Sequence, residues 1–123
     1  MPLPDTMRQV VCTAPGGPDV LEVGTGSVPV PRAGEVLIAV AYAGVNRPDC
    51  LQRAGAYPPP PDASPILGLE VAGRVVALGT GVSEPAIGAT VCALVPGGGY
   101  AEYCTAPAAW CLPVPTGVSV GDA

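Results

Sequence analysis

Residues 68–82 read GLEVAGRVVALGTGV. A glycine–x–glutamate–x–x–glycine pattern opens the stretch and Gly79-Thr80-Gly81 closes it. Such glycines can cradle a phosphate, flank a metal ligand or turn a strand tightly. A dinucleotide cradle needs G-x-G-x-x-G between a strand and a helix. Here the final glycine is replaced by Glu84 after Gly79-Thr80-Gly81, by Pro29 after Gly24-Thr25-Gly26, and by Glu102 after Gly97-Gly98-Gly99. A Walker loop needs a lysine, and all five basic residues are arginines. Gly68 and Gly73 are therefore read as geometry. Gly73, inside a strand pattern, marks a bulge, a sharp bend or a close backbone approach.

Working outward, the same reading extends along the chain. Met7–Ala14 reads as a first strand, ended by Pro15-Gly16-Gly17-Pro18, and Val20–Gly24 as a second, with residues 26–34 as a Pro/Gly-rich loop. In Glu35–Val45 both alternating sets of residues are apolar, which predicts a strand buried on both faces. Asn46 is a strong N-cap, Pro48 suits a first helical turn, Asp49 complements the helix dipole and Gly55 is a stop. A short helix is expected from Asn46 to about Ala54. Tyr57 and the four prolines after it are expected to form a stiff extended loop. Glu70–Leu78, Ala89–Val95, Tyr100–Ala106 and Trp110–Val114 complete about seven or eight short strands. The fold class expected is mainly β with short helices, as a closed or nearly closed β-barrel.

The 123 residues hold 17 glycines and 17 prolines without periodicity, and no internal repeat. A hydrophobic share of 49% is enough for one core and argues against disorder. The net charge of −5 and the lack of any basic cluster argue against a nucleic-acid partner. No stretch is long and apolar enough to span a membrane, and the N-terminus lacks signal-peptide order, so a soluble cytoplasmic protein is expected. There is no histidine, which removes every Ser-His-Asp and Cys-His arrangement and every imidazole ligand. Cys12, Cys50, Cys92, Cys104 and Cys111 are scattered, with no C-x-x-C pair. They read as small buried thiols in a reducing compartment, and a structural zinc is not expected.

Three segments together, NRPDCLQRAGAYPPPP, GLEVAGRVVALGTGV and LVPGGGYAEYCTAP, resemble the N-terminal half of medium-chain dehydrogenase/reductases. Their similarity is to the zinc-free quinone oxidoreductase branch, which includes zeta-crystallin, and it spans Met7 to about Asp122. Zinc-dependent members carry a histidine where this chain has Leu69 and a cysteine where it has Asn46, and their lobe of close cysteines is missing. The resemblance implies a GroES-like distorted β-barrel. It implies metal-free reduction of quinones or other conjugated carbonyls by NADPH, in a cleft shared with a following Rossmann domain, and a homodimer formed by the longer protein. It makes residues 1–123 the substrate-side domain. The helix, the glycine-rich nucleotide loop and the returning C-terminal segment expected beyond that point are not among these residues. The 123 residues alone are accordingly expected to be nearly inactive and to expose an apolar patch.

The resemblance marks Tyr57 as the catalytic candidate and, with Asn46, as a cofactor-binding residue. A phenol can donate a hydrogen bond or a proton to an oxygen that is gaining negative charge. The competing role for Tyr57 is packing on its prolines, and for Asn46 it is the helix cap. Arg47 with Asp49 reads as a solvated first turn, Glu70 as a structural carboxylate, and Tyr100, Tyr103 and Trp110 as core or rim. A non-catalytic binding or assembly module on the same barrel is the alternative function. It would place Asn46 and Tyr57 apart, or leave their side chains consumed in packing.

Overall fold

The computed structural model describes residues 3–56 and 63–123. Among them are seven strands and one α-helix: β1 Thr6–Cys12, β2 Leu21–Ser27, β3 Glu35–Ala43, α1 Arg47–Arg53, β4 Glu70–Leu78, β5 Thr90–Leu94, β6 Tyr103–Pro107 and β7 Cys111–Pro113. The fold is mainly β, as the patterning predicts. β1 and β2 form an antiparallel pair, and the other five form an antiparallel sheet in the order β6-β3-β4-β5-β7. The two sheets are joined at one seam, where Gln9 pairs with Ala101 and the Val10 N–H donates to the Tyr100 carbonyl at 2.8 Å. The sheets do not close into a complete barrel.

The core lies on one face of the five-stranded sheet. Val36, Ile38, Val71, Val75, Val91, Cys104 and Ala106 are essentially inaccessible there. β3 meets the two-sided expectation only in its first half, where Val36, Leu37 and Ile38 are all buried. Its second half departs from it: Ala41 is exposed and Tyr42 is 59% exposed. The change coincides with a bulge, because the register runs from Val40↔Gly73 to Tyr42↔Ala72 and leaves Ala41 without a partner on β4.

Gly73 lies beside the bulge, opposite Val40. A Cβ there would run into the carbonyl oxygen of Ala39 and lie 3.0 Å from Ile38 Cγ2. Only glycine lets β3 and β4 approach this closely. Gly68 is different: at φ +107° it needs the freedom of glycine, and its backbone packs against Gly99 and Tyr100. The Gly97-Gly98-Gly99 run is a backbone clasp. Gly98, Gly99 and Tyr100 donate N–H bonds of 2.8, 3.1 and 2.9 Å to the carbonyls of Ile66, Gly68 and Leu67. This clasp stops β6 short of its expected start, so Tyr100 lies in the link before the strand. β2 runs three residues past Gly24, with Gly24 and Gly26 paired to Gln9 and Met7. The loop expected from residue 26 therefore begins after Ser27.

The cysteines divide by burial, correcting the uniform reading. Cys104 is buried, Cys92 and Cys111 are half-buried, and Cys12 and Cys50 are exposed; all five are free. Burial pushes the Cys104 thiol up to about 12, with the nearby Glu35 and Cys111 adding to it. With a chromogenic disulfide reagent at neutral pH, Cys12 and Cys50 should react in the native protein and Cys104 only after denaturation. Fast native labelling of Cys104, located by peptide mass, would contradict this packing.

Candidate active site

Three residues separate the end of β3 from the start of α1, and the last of them, Asn46, sets that start. Asn46 is the N-cap, with extended backbone angles of φ −126° and ψ 157°. Its backbone N–H donates to Asp49 Oδ2 at 2.9 Å, and the Asp49 N–H donates to the Asn46 carbonyl at 3.0 Å. The Asn46 side chain faces that same Asp49 N–H, so the two residues form a capping box. The helix ends at Arg53 with Ala54 as its C-cap, and Gly55 follows at φ +88°, where the sequence places the stop.

The Asn46 side chain is held from the other side by β4. Its Nδ2 donates to Glu70 Oε1 at 3.0 Å. Glu70 is half-buried at the first position of β4 and lies over Gly44, where a Cβ would come within 2.5 Å of Oε1. The carboxylate read as merely structural is thus bonded to the candidate amide.

Asp49 does not lie in a solvated first turn. Arg47 is exposed as expected, but Asp49 is only 3% exposed. Its Oδ2 also accepts the Tyr100 O–H at 2.5 Å, and its Oδ1 is buried with no partner among the described residues. No local signal could reveal this pair, since 51 residues separate its members. Burial raises the Tyr100 phenol well above the ordinary tyrosine range, and the hydrogen bond to Asp49 and its negative charge add to the effect.

Tyr100→Phe removes one of the two donors on this buried carboxylate. The expected loss is about 2 kcal/mol at neutral pH, read by urea unfolding. A phenol whose folded pKa is raised contributes stability that is complete below its unfolded value and is lost as pH rises further. Wild-type stability should therefore fall above about pH 10, and more steeply than that of Tyr100→Phe. Parallel pH profiles would contradict the bond.

Tyr57 lies outside the described residues. Of the site residues read from the sequence, the structure places Asn46, and it brings together Asn46, Glu70, Asp49 and Tyr100. Beside them, across Glu70, opens a largely apolar pocket of about 550 Å³ lined by Cys92, Leu94, Trp110, Leu112 and Ala123. Leu94, Trp110 and Leu112 are 66%, 52% and 63% exposed, so the expected exposed apolar patch is present. Among the described residues no helix is long and apolar enough to cross a membrane, and no three His, Cys, Asp or Glu side chains group as metal ligands.

Comparison with known proteins gives this geometry a context. Residues 32–116 match the alcohol dehydrogenase GroES-like domain. Guanaco (Lama guanicoe) quinone oxidoreductase is 39% identical over 102 residues, which cover 81% of this chain and 31% of that protein. The mouse synaptic vesicle membrane protein VAT-1 homolog-like is 33% identical over 95% of this chain and 28% of its own length. Among solved structures, Coxiella burnetii quinone oxidoreductase superposes with a TM-score of 0.86 at 25% identity, over 95% of this chain and 39% of that one. A mycobacterial protein complexed with NADPH superposes at 0.82 with 37% identity, over 93% and 35%. The chain spans about a third of the length of these relatives. With more than half of its residues matched and this architecture around the Asn46 helix, the chain belongs to the alcohol dehydrogenase GroES-like domain family, within the medium-chain dehydrogenase/reductase superfamily.

Proposed function

We propose that residues 1–123 are the substrate-side domain of a zinc-independent, NADPH-dependent oxidoreductase acting on quinones or related conjugated carbonyls, working with a Rossmann nucleotide-binding domain. The relatives named quinone oxidoreductase and the NADPH-bound neighbour support the reaction class. The observation that carries the reading to a site is the Asn46 amide. It stands at the start of α1, held through its backbone by Asp49 and through its side chain by Glu70. Such an amide is oriented before any ligand arrives, which suits a group that must meet a reacting carbonyl at one angle.

The residues present do not fit a catalytic zinc. At the two positions where zinc-dependent relatives place ligands, this chain offers the alkyl side chain of Leu69 and an amide already bonded to Glu70. The Asn46 amide, held at its backbone by Asp49 and at its side chain by Glu70, fits the edge of a nicotinamide, and the resemblance would put Tyr57 on the same ring. When bound, NADPH supplies the hydride. Asn46 orients the carbonyl beside it by donating a hydrogen bond. Tyr57 donates its O–H to the acceptor oxygen as that oxygen gains charge and gives up the proton that completes the reduction.

The test follows NADPH oxidation with a simple benzoquinone at 340 nm, in the protein with its nucleotide-binding region present. Asn46→Ala should lower kcat/KM about tenfold. The 123 residues by themselves should show almost no turnover. Full activity of Asn46→Ala would remove the amide from the site, and a parent protein that oxidises no NADPH would favour the alternative, a non-catalytic binding module.

A further inference from the structure

We infer that Glu70 is a positioning residue, which fixes the Asn46 amide so that it offers an N–H, and not its carbonyl oxygen, to a bound carbonyl group. The inference rests on the reductase reading and deepens it. The two ends of an asparagine amide have nearly the same shape, so an unconstrained amide can present either face. An ionised carboxylate can only accept. The end of Asn46 facing Glu70 Oε1 at 3.0 Å must therefore be the NH₂ group. One N–H is then committed to Glu70, and the carbonyl oxygen lies toward the Asp49 N–H in the capping box. What remains for a ligand is the second N–H of Nδ2, a donor matched to a carbonyl oxygen.

Two further features serve the same arrangement. Tyr100 donates to Asp49 Oδ2, and the same oxygen accepts the Asn46 backbone N–H, so the N-cap cannot drift from Glu70. Gly44 leaves room for the carboxylate: a Cβ there would lie 2.5 Å from Glu70 Oε1 and 2.7 Å from its Cδ. The obstacle is the end of a flexible side chain, and Gly44 does not need a positive φ. Gly44→Ala should therefore displace the carboxylate without unfolding the chain and without altering either Glu70 or Asn46.

The experiment uses Glu70→Gln, Gly44→Ala and the double variant. On the 123 residues, the side-chain NH₂ resonances of Asn46 are followed by ¹⁵N–¹H NMR. One proton bonded to a carboxylate and one free should give a wide separation, which narrows in each single variant. In the protein with its nucleotide-binding region, kcat should fall about tenfold in each single variant while the KM for NADPH changes less than about twofold. The double variant should be no worse than either single one, because both remove the same contact. Unchanged NH₂ resonances would overturn the contact. Shifted resonances with unchanged kcat would overturn its role and leave a structural hydrogen bond. A parent protein that oxidises no NADPH would sink the reductase reading, and positioning for that reaction with it, even if the resonances move as expected.

Discussion

Gly73→Ala should cost about 3 kcal/mol or more and leave little folded protein. One added methyl group would run into the Ala39 carbonyl oxygen and press on Ile38 Cγ2. The first obstacle is backbone, in a strand hydrogen-bonded on both sides, so no rotamer change can relieve it. β3 and β4 would have to separate at the centre of the five-stranded sheet, where Ile38, Val71 and Val75 are packed. Overpacking of an ordinary core site costs about 1–3 kcal/mol, and here the steric term adds to lost ladder bonds. For a domain of this size the melting temperature should drop by at least roughly 12 °C. Circular dichroism melts decide it: a variant melting within a few degrees of the parent would mean that the strands are not this close.

The second large effect concerns Tyr57, whose role is part of the proposal. Tyr57→Phe keeps the ring and removes only the hydroxyl. If the tyrosine serves to pack on its prolines, both stability and turnover should survive. If the phenol donates to the acceptor oxygen, kcat should fall about 100-fold, the usual cost of losing one donor to a developing oxyanion. The KM for NADPH should hardly move, because the lost bond matters mainly in the transition state. Retention of more than half of kcat would end the catalytic assignment. The two outcomes are far enough apart for steady-state rates on the protein with its nucleotide-binding region to separate them.

What could be read from the sequence was the part governed by neighbours along the chain. The N-cap at Asn46, the stop at Gly55 and the turn after Leu78 each need only a few adjacent residues, and each is found where the pattern places it. Gly73 was legible as an irregularity, though not as to which of three kinds. The burial of Asp49 was hidden, because a carboxylate in a first helical turn is ordinarily solvated and its partner Tyr100 comes from a distant link. The bond from Asn46 to Glu70 was hidden for the same reason, the two being 24 positions apart. The link at Tyr100 was misread as strand because its clasp is made by backbone atoms of residues 66–68, which leave no trace in side-chain periodicity. The partial exposure of β3 was missed because apolar alternation does not show where a sheet loses its cover.

The protein has a single tryptophan, Trp110, and it stands half out of the wall of the apolar pocket. Its indole is therefore a ready-made optical probe. In the uncovered domain the emission should lie toward the red, as for a ring in contact with solvent. Anything that settles over Leu94 and Leu112 will move it to the blue, so contact at this face can be followed by fluorescence without attaching a dye.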